Sequence, residues 1–273
     1  MGLSEGKSVS KRAIALGVRR TISALPAVMV VGLIAWVTIA AVQPLLAQTA
    51  EPVRLLSANA AANSGSGASN GIAVNSDGSI GAFYSDAADL VASDTNESRD
   101  IFVRDTNAGT TERMSVGSNG AQANGPSHRA GGPVAINGDG QVVAFYSDAN
   151  NLVVGDNNGQ PDVFVRLRSA GVTQRVSVAS DGTQGNGPSV LPSISADGRM
   201  IAFQSEADNL VVGDTNHVSD IFVHDRITGI TERVCNVQGN KSSSAPAISD
   251  DGNVVAFASS ATNLVAGDAN NFV

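Results

Sequence analysis

Residues 196–225 read ADGRMIAFQSEADNLVVGDTNHVSDIFVHD, and this stretch decides how the chain is built, because it occurs four times. Residues 76–105 read SDGSIGAFYSDAADLVASDTNESRDIFVRD, and residues 138–167 read GDGQVVAFYSDANNLVVGDNNGQPDVFVRL. A shorter copy, DDGNVVAFASSATNLVAGDANNFV, occupies residues 250–273. The Asp-Gly pairs beginning at Asp77, Asp139, Asp197 and Asp251 are spaced by 62, 58 and 54 residues. A near-regular period of this size marks supersecondary units that cannot bury their apolar faces alone and do so on one another.

Within the third copy, Pro192–Ser195 reads as a short strand closed by Asp197-Gly198, a dipeptide that suits a type I′ hairpin with both central residues at positive φ. Met200–Gln204 reads as a second strand, Asp220–His224 as a third, and Thr231–Val237 as a fourth after the turn at Gly229. These strands are short, rich in β-branched and aromatic residues, and apolar on both faces. A sheet apolar on both faces is covered on both, as is a blade between two neighbours, and four strands per radially stacked repeat is the propeller plan. The expected fold is all-β: a partial β-propeller of four-stranded antiparallel blades, three complete and a fourth truncated. The repeats span residues 72–133, 134–191, 192–245 and, incompletely, 246–273, within a domain of residues 51–273.

The full repeat, S-x-D-G-x-x-x-A-F-x-S followed by N-L-V-x-G-D-x-N-x-x-x-D-I-F-V-x-D and G-x-T-x-R-V-S-V, resembles the TolB-type, WD40-like propeller repeat of exported bacterial proteins. The resemblance covers residues 53–273. It implies the fold, and it implies little about activity, because such propellers serve as binding scaffolds, periplasmic assembly factors and lids on peptidases. Arg54-Leu55-Leu56-Ser57 aligns with Arg175-Val176-Ser177-Val178 and with Arg233-Val234-Cys235, which makes Val53 the start of a lone outermost strand. With the fourth copy stopping at Val273, the chain reads as a stretch of a longer propeller; two copies closing one ring is the alternative.

The N-terminus is chemically different. Lys7, Lys11, Arg12, Arg19 and Arg20 against Glu5 give residues 1–20 a net charge of +4, and residues 24–47 are almost wholly apolar. A basic head before such a run reads as an export signal or an N-terminal membrane anchor over residues 1–50, an apolar helix that sends the rest of the chain out of the cytoplasm. Cleavage after Ala47 or Ala50 and retention as an anchor are both compatible with it. The remaining residues carry −12 of the total of −8, with Lys241 the one lysine among them. An acidic surface without basic clusters argues against nucleic acid and anionic lipid as partners and leaves membrane contact to the N-terminal segment. Cys235 is the single cysteine, so no intrachain disulfide forms. It replaces Ser115 and Ser177 of the other repeats and reads as a buried structural thiol.

The long connection between the second and third strands is pinned in each copy by an apolar pair, Leu90-Val91, Leu152-Val153, Leu210-Val211 and Leu264-Val265. A D-x-N-x-x-x-D motif follows: Asp94, Asn96 and Asp100; Asp156, Asn158 and Asp162; Asp214, Asn216 and Asp220; with Asp268 and Asn270 in the fourth copy. Oxygen ligands at positions one, three and seven of a tight loop suit calcium, the candidate cofactor. Asp and Asn also cap turns through their own backbone, so the motif is open to both readings. Arg113, Arg175 and Arg233 recur at one strand position, placed opposite Asp105, Leu167 and Asp225 across a hairpin.

Nothing in the sequence marks an active site. His128, His217 and His224 do not recur between repeats, and no G-x-S-x-G, H-E-x-x-H or P-loop is present. The phenylalanines from Phe83 to Phe257 repeat with the blade and read as core. The sequence therefore points to an exported, non-catalytic binding or structural module whose blade-edge loops meet a protein or glycan. The alternative is a piece of a larger propeller-containing hydrolase or lyase.

Overall fold

The computed structural model describes residues 53–267 apart from residues 129, 130 and 236. The basic head, the apolar run, Asp268 and Asn270 lie outside the described residues. Among the described residues no helix is long and apolar enough to cross a membrane.

The first sheet contains β1 (Ser69–Val74), β2 (Ile80–Ser85), β3 (Asp100–Asp105) and β4 (Thr110–Arg113), hydrogen-bonded in that order and antiparallel throughout. The second repeats the plan with β5 (Ala135–Ile136), β6 (Val142–Ser147), β7 (Asp162–Leu167) and β8 (Val172–Arg175). The third contains β9 (Ser189–Ile194), β10 (Met200–Ser205), β11 (Asp220–Asp225) and β12 (Ile230–Arg233). The fourth copy contributes β13 (Ser243–Ile248) and β14 (Val255–Ser259) as a two-stranded sheet. Innermost strands start at Ser69, Ser189 and Ser243, upstream of the limits read from the sequence, because their first residue pairs with the serine that ends the second strand. Each such pair is also joined by its hydroxyls, at 2.9 Å for Ser69–Ser85, 3.1 Å for Ser127–Ser147, 2.9 Å for Ser189–Ser205 and 3.0 Å for Ser243–Ser259.

The central strands are buried on both faces, as their unbroken apolar runs require. Phe83 lies opposite Phe102, Phe145 opposite Phe164 and Phe203 opposite Phe222, each pair with ring centroids 5.9 Å apart. One continuous cluster joins Val103 and Met114 of the first repeat to Val143 and Phe145 of the second, and another joins Val142 and Val165 to Ile201 and Phe203 of the third. Leu90, Leu152 and Leu210 are buried and hold their loops down. The fourth copy is less covered: Leu264 and Phe257 are half-buried and Val265 is exposed.

Two local expectations are corrected. At the Asp-Gly hairpins only the glycine is left-handed (Gly78 at φ 73°, Gly140 at 73°, Gly198 at 73°, Gly252 at 74°); the aspartates are not. Each aspartate instead accepts the N–H two residues on, at 2.8 Å from Ser79 to Asp77 and 2.9 Å from Arg199 to Asp197, so a longer loop replaces the two-residue type I′ turn. These turns also join the repeats: Ser76 N–H donates to Gly138 O, Gly138 N–H to Ala196 O and Ala196 N–H to Asp250 O, at 2.9–3.0 Å.

The second correction concerns the segment from Val53, which forms no strand. Ala58 makes a single bridge to Ser64, equivalent to Val116 with Gln122 and Val178 with Gln184. That register aligns Ser57 with Ser115 and Ser177, so Leu55 rather than Arg54 stands at the position of Arg175. An arginine next to an apolar pair misled the alignment; the bridge is what sets it.

Candidate functional site

The D-x-N-x-x-x-D loops are the most strongly repeated polar feature, and in all three described copies the structure brings their three side chains together. Asn96 turns its amide N–H toward Asp100 Oδ2 (3.0 Å) and Ala123 O (3.0 Å), while its Oδ1 accepts from Ser98 N–H (3.2 Å). Asn158 does the same with Asp162 (3.1 Å), Gly185 O (2.8 Å) and Gln160 N–H (2.9 Å). Asn216 repeats it with Asp220 (3.0 Å), Gly239 O (2.8 Å) and Val218 N–H (3.2 Å). The carbonyl partners of the NH2 group and the N–H partner of Oδ1 fix the amide orientation from both ends. The asparagine thus presents donors, not its oxygen, to the loop interior.

The arginine at the end of the fourth strand enters that interior. Arg113 Nη1 lies 2.8 Å from Asp94 Oδ1 and 3.3 Å from Asp100 Oδ2. Arg175 lies 3.3 Å from both Asp156 and Asp162. Arg233 is looser, at 3.8 Å from Asp214 and 3.9 Å from Asp220. The expected cross-hairpin pairing of these arginines is therefore corrected: the register sets Arg113 against Phe102, Arg175 against Phe164 and Arg233 against Phe222. Asp105 faces Thr110, Leu167 faces Val172, and Asp225 is held instead by Arg199 at 2.6 and 2.9 Å, which draws its carboxyl far below the usual range.

A glutamine from the following linker completes each site. Gln122 accepts from Arg113 (3.1 Å), Gln184 donates to Asp156 (2.9 Å) and Gln238 donates to Asp214 (2.7 Å). The serine two residues after the arginine donates to the closing aspartate, at 2.5 Å for Ser115 and 2.6 Å for Ser177, and accepts the N–H that follows that aspartate. Burial pushes the carboxyls of Asp100, Asp156, Asp162, Asp214 and Asp220 upward despite the arginines and hydrogen bonds that oppose it. Sequence reading missed the arginine and glutamine as members of this site. The signal was present in the constant thirteen-residue step from Asp100, Asp162 and Asp220 to Arg113, Arg175 and Arg233.

In the third copy Cys235 occupies the serine position, half-buried and just beyond the end of β12, with its thiol pushed up by burial. A thiol is a weak donor and cannot reproduce the serine's two hydrogen bonds. Arg233 there is left with a buried Nη1 that has no hydrogen-bond partner. Cys235→Ser is expected to restore the bonds to Asp220 and Ile221 and raise stability by about 1–2 kcal/mol, read as a higher urea midpoint; an unchanged or lower midpoint contradicts it.

The histidines are dispersed. His217 is exposed 3.6 Å from Asp208, His224 is buried with Nδ1 2.9 Å from Thr231 Oγ1, and His128 is buried between two tyrosines. Among the described residues no group of three or more His, Cys, Asp or Glu side chains is placed to hold a metal ion.

Four-stranded antiparallel sheets, repeated in sequence order and packed face on face, define the architecture. The fold is that of β-propeller blades. No family model and no curated protein matches the chain. Among solved structures it is similar to the putative TolB from Agrobacterium tumefaciens, with a TM-score of 0.46 and 19% identity over 70% of this chain and 53% of that one. TolB from Acinetobacter baumannii gives 0.44 and 18% over 70% and 37%. The β-propeller domain of the Trilobed protease from Pyrococcus furiosus gives 0.42 and 10% over 67% and 46%. The matched region thus spans about half or less of each of these chains, and likeness at this identity concerns the fold alone.

Proposed function

We propose that this propeller is a non-catalytic binding module, and that in its loops an internal arginine serves as the cation for which calcium was the candidate. The observation that supports this is the guanidinium set between two buried carboxylates, with the loop asparagine offering N–H rather than oxygen. Calcium requires six to eight oxygens, and Oδ2 of each closing aspartate already accepts from the loop asparagine, while Asp94, Asp156 and Asp214 each face the arginine or the linker glutamine through Oδ1. Rigid loops then present their tips outward, where Val154 and Val212 are fully exposed at equivalent positions. A protein or glycan ligand on these blade-edge loops, in an extracytoplasmic setting, fits an acidic surface without basic clusters.

Two measurements test the reading. Thermal melts of the full chain in calcium and in excess chelator are expected to coincide; a melting temperature that rises steadily with calcium concentration would overturn the arginine assignment, since a ligand of the native state stabilises it by mass action. Incubation with polysaccharide and peptide panels is expected to give retention without cleavage. Products released by the purified chain would favour the alternative of a hydrolase or lyase propeller.

A further inference from the structure

The second repeat differs from its neighbours at the inner edge. Between the first strand residue and the residue opposite the central alanine, the first and third repeats use Ser69 to Ala73 and Ser189 to Ser193. The second runs from Ser127 to Ala135, four residues longer, which accounts for the step of 62 rather than 58 residues. His128 opens this insertion in a left-handed conformation at φ 52°. It is fully buried, with its ring 5.8 Å from that of Tyr84 in the first blade and 4.3 Å from that of Tyr146 in the second.

We propose that His128 is an acid-sensitive joint between the first two blades: as a neutral ring it holds their inner edges together, and on protonation it releases them. The backbone around it binds both sides. His128 N–H donates to Tyr146 O (3.1 Å), His128 O accepts from Arg99 Nη1 (3.3 Å), and Ser127 N–H donates to Arg99 O (2.8 Å). Val134 N–H donates to Gly71 O of the first blade (2.9 Å), and Tyr146 Oη–H donates to Gly131 O (3.0 Å).

The ring chemistry selects the neutral form. Nε2 accepts the Tyr146 N–H (3.3 Å), so the proton of the neutral ring sits on Nδ1, a buried atom without a hydrogen-bond partner. A second proton would have to be placed on Nε2, pointing at an N–H donor. The groups facing the ring from the elements around it are Tyr84 of β2, Arg99 before β3 and Tyr146 of β6. Arg99 is a cation stacked 4.9 Å over Tyr84, and Asp86 is committed to Arg99 at 2.9 and 3.0 Å. Two tyrosine faces and the backbone carbonyls of Gly132 and Gly131 favour a cation there, but loss of water, above all, outweighs them, with the misdirected N–H and the Arg99 charge acting in the same direction. His128 is accordingly drawn down from 6.5 to about 4, chiefly by burial. A histidine lowered in the folded state contributes stability that is complete above pH 6.5 and lost as pH falls toward 4.

Tyr84 and Tyr146 are the two tyrosines of the chain, so ring-labelled tyrosine reports on this joint and nothing else. In NMR spectra of the full chain, both tyrosine signals are expected to move together toward unfolded positions only as pH falls toward about 4, while the far-UV circular dichroism is unchanged. His128→Gln keeps an acceptor for the Tyr146 N–H and removes the titration, so its tyrosine signals should hold over that range. Tyrosine signals that stay fixed until global unfolding, or that move equally in His128→Gln, overturn the proposal. If the variant does not fold, the His128 ring of the native chain, located by its proximity to the tyrosines, decides: titration at an ordinary histidine pH refutes the joint.

Discussion

Arg175→Ala is expected to destabilise the chain by about 3–5 kcal/mol, because removing one partner of a buried ion pair strands the other. Here two partners are stranded. Asp156 and Asp162 have side chains 2% and 0% exposed, and Arg175 is the cation between them. Both carboxyls already lie above their ordinary range through burial; Asp162 raises Asp156 further, and Arg175 restrains both. Without the guanidinium they move further up. A carboxyl raised in the folded state contributes stability that is present below its unfolded value and lost as pH rises through its folded one. The deficit of Arg175→Ala should therefore be largest at neutral pH and shrink on mild acidification. Urea unfolding of both chains at the two pH values checks this, and a deficit independent of pH would show that Arg175 acts through packing rather than charge.

Phe203→Ala is expected to cost about 3–5 kcal/mol as a core truncation. Phe203 is fully buried, stacked on Phe222 across the register of β10 and β11, and part of the cluster that joins the second and third blades. The surrounding sheets are hydrogen-bonded on both sides and cannot collapse into the space. Phe257, at the same position of the fourth copy, is only half-buried and sits on β14, whose sheet has two strands. Phe257→Ala should therefore cost markedly less. Equal losses, measured by thermal or urea unfolding, would contradict the assignment of the inter-blade core.

The contrast between these two predictions shows what kind of information was legible where. The Phe203 prediction needs only the repeat: a phenylalanine that returns with every blade, inside an apolar run, belongs to a sheet covered on both faces. Period and strand pattern are local properties, and they survive into the structure because each repeat meets nearly the same neighbours. The pins at Leu90, Leu152 and Leu210 were legible for the same reason.

The Arg175 prediction needed coordinates. Its thirteen-residue distance from Asp162 is spanned by two strands and a turn, and whether the side chain meets Leu167, Asp162 or solvent depends on register and on which face the strand end presents. The same holds for the asparagine amide, whose donors face inward only because Ala123, Gly185 and Gly239 place carbonyls beside it. His128 is the extreme case, unrepeated in sequence and set between tyrosines of two different blades. By itself, then, the sequence determined the order of the strands within each repeat, the repeating core and the acidic loops, all consequences of short-range pattern. The tertiary structure alone decided that an arginine lies beside those aspartates and that a single histidine is shut away from water, because both depend on side chains brought together across blades and strand registers.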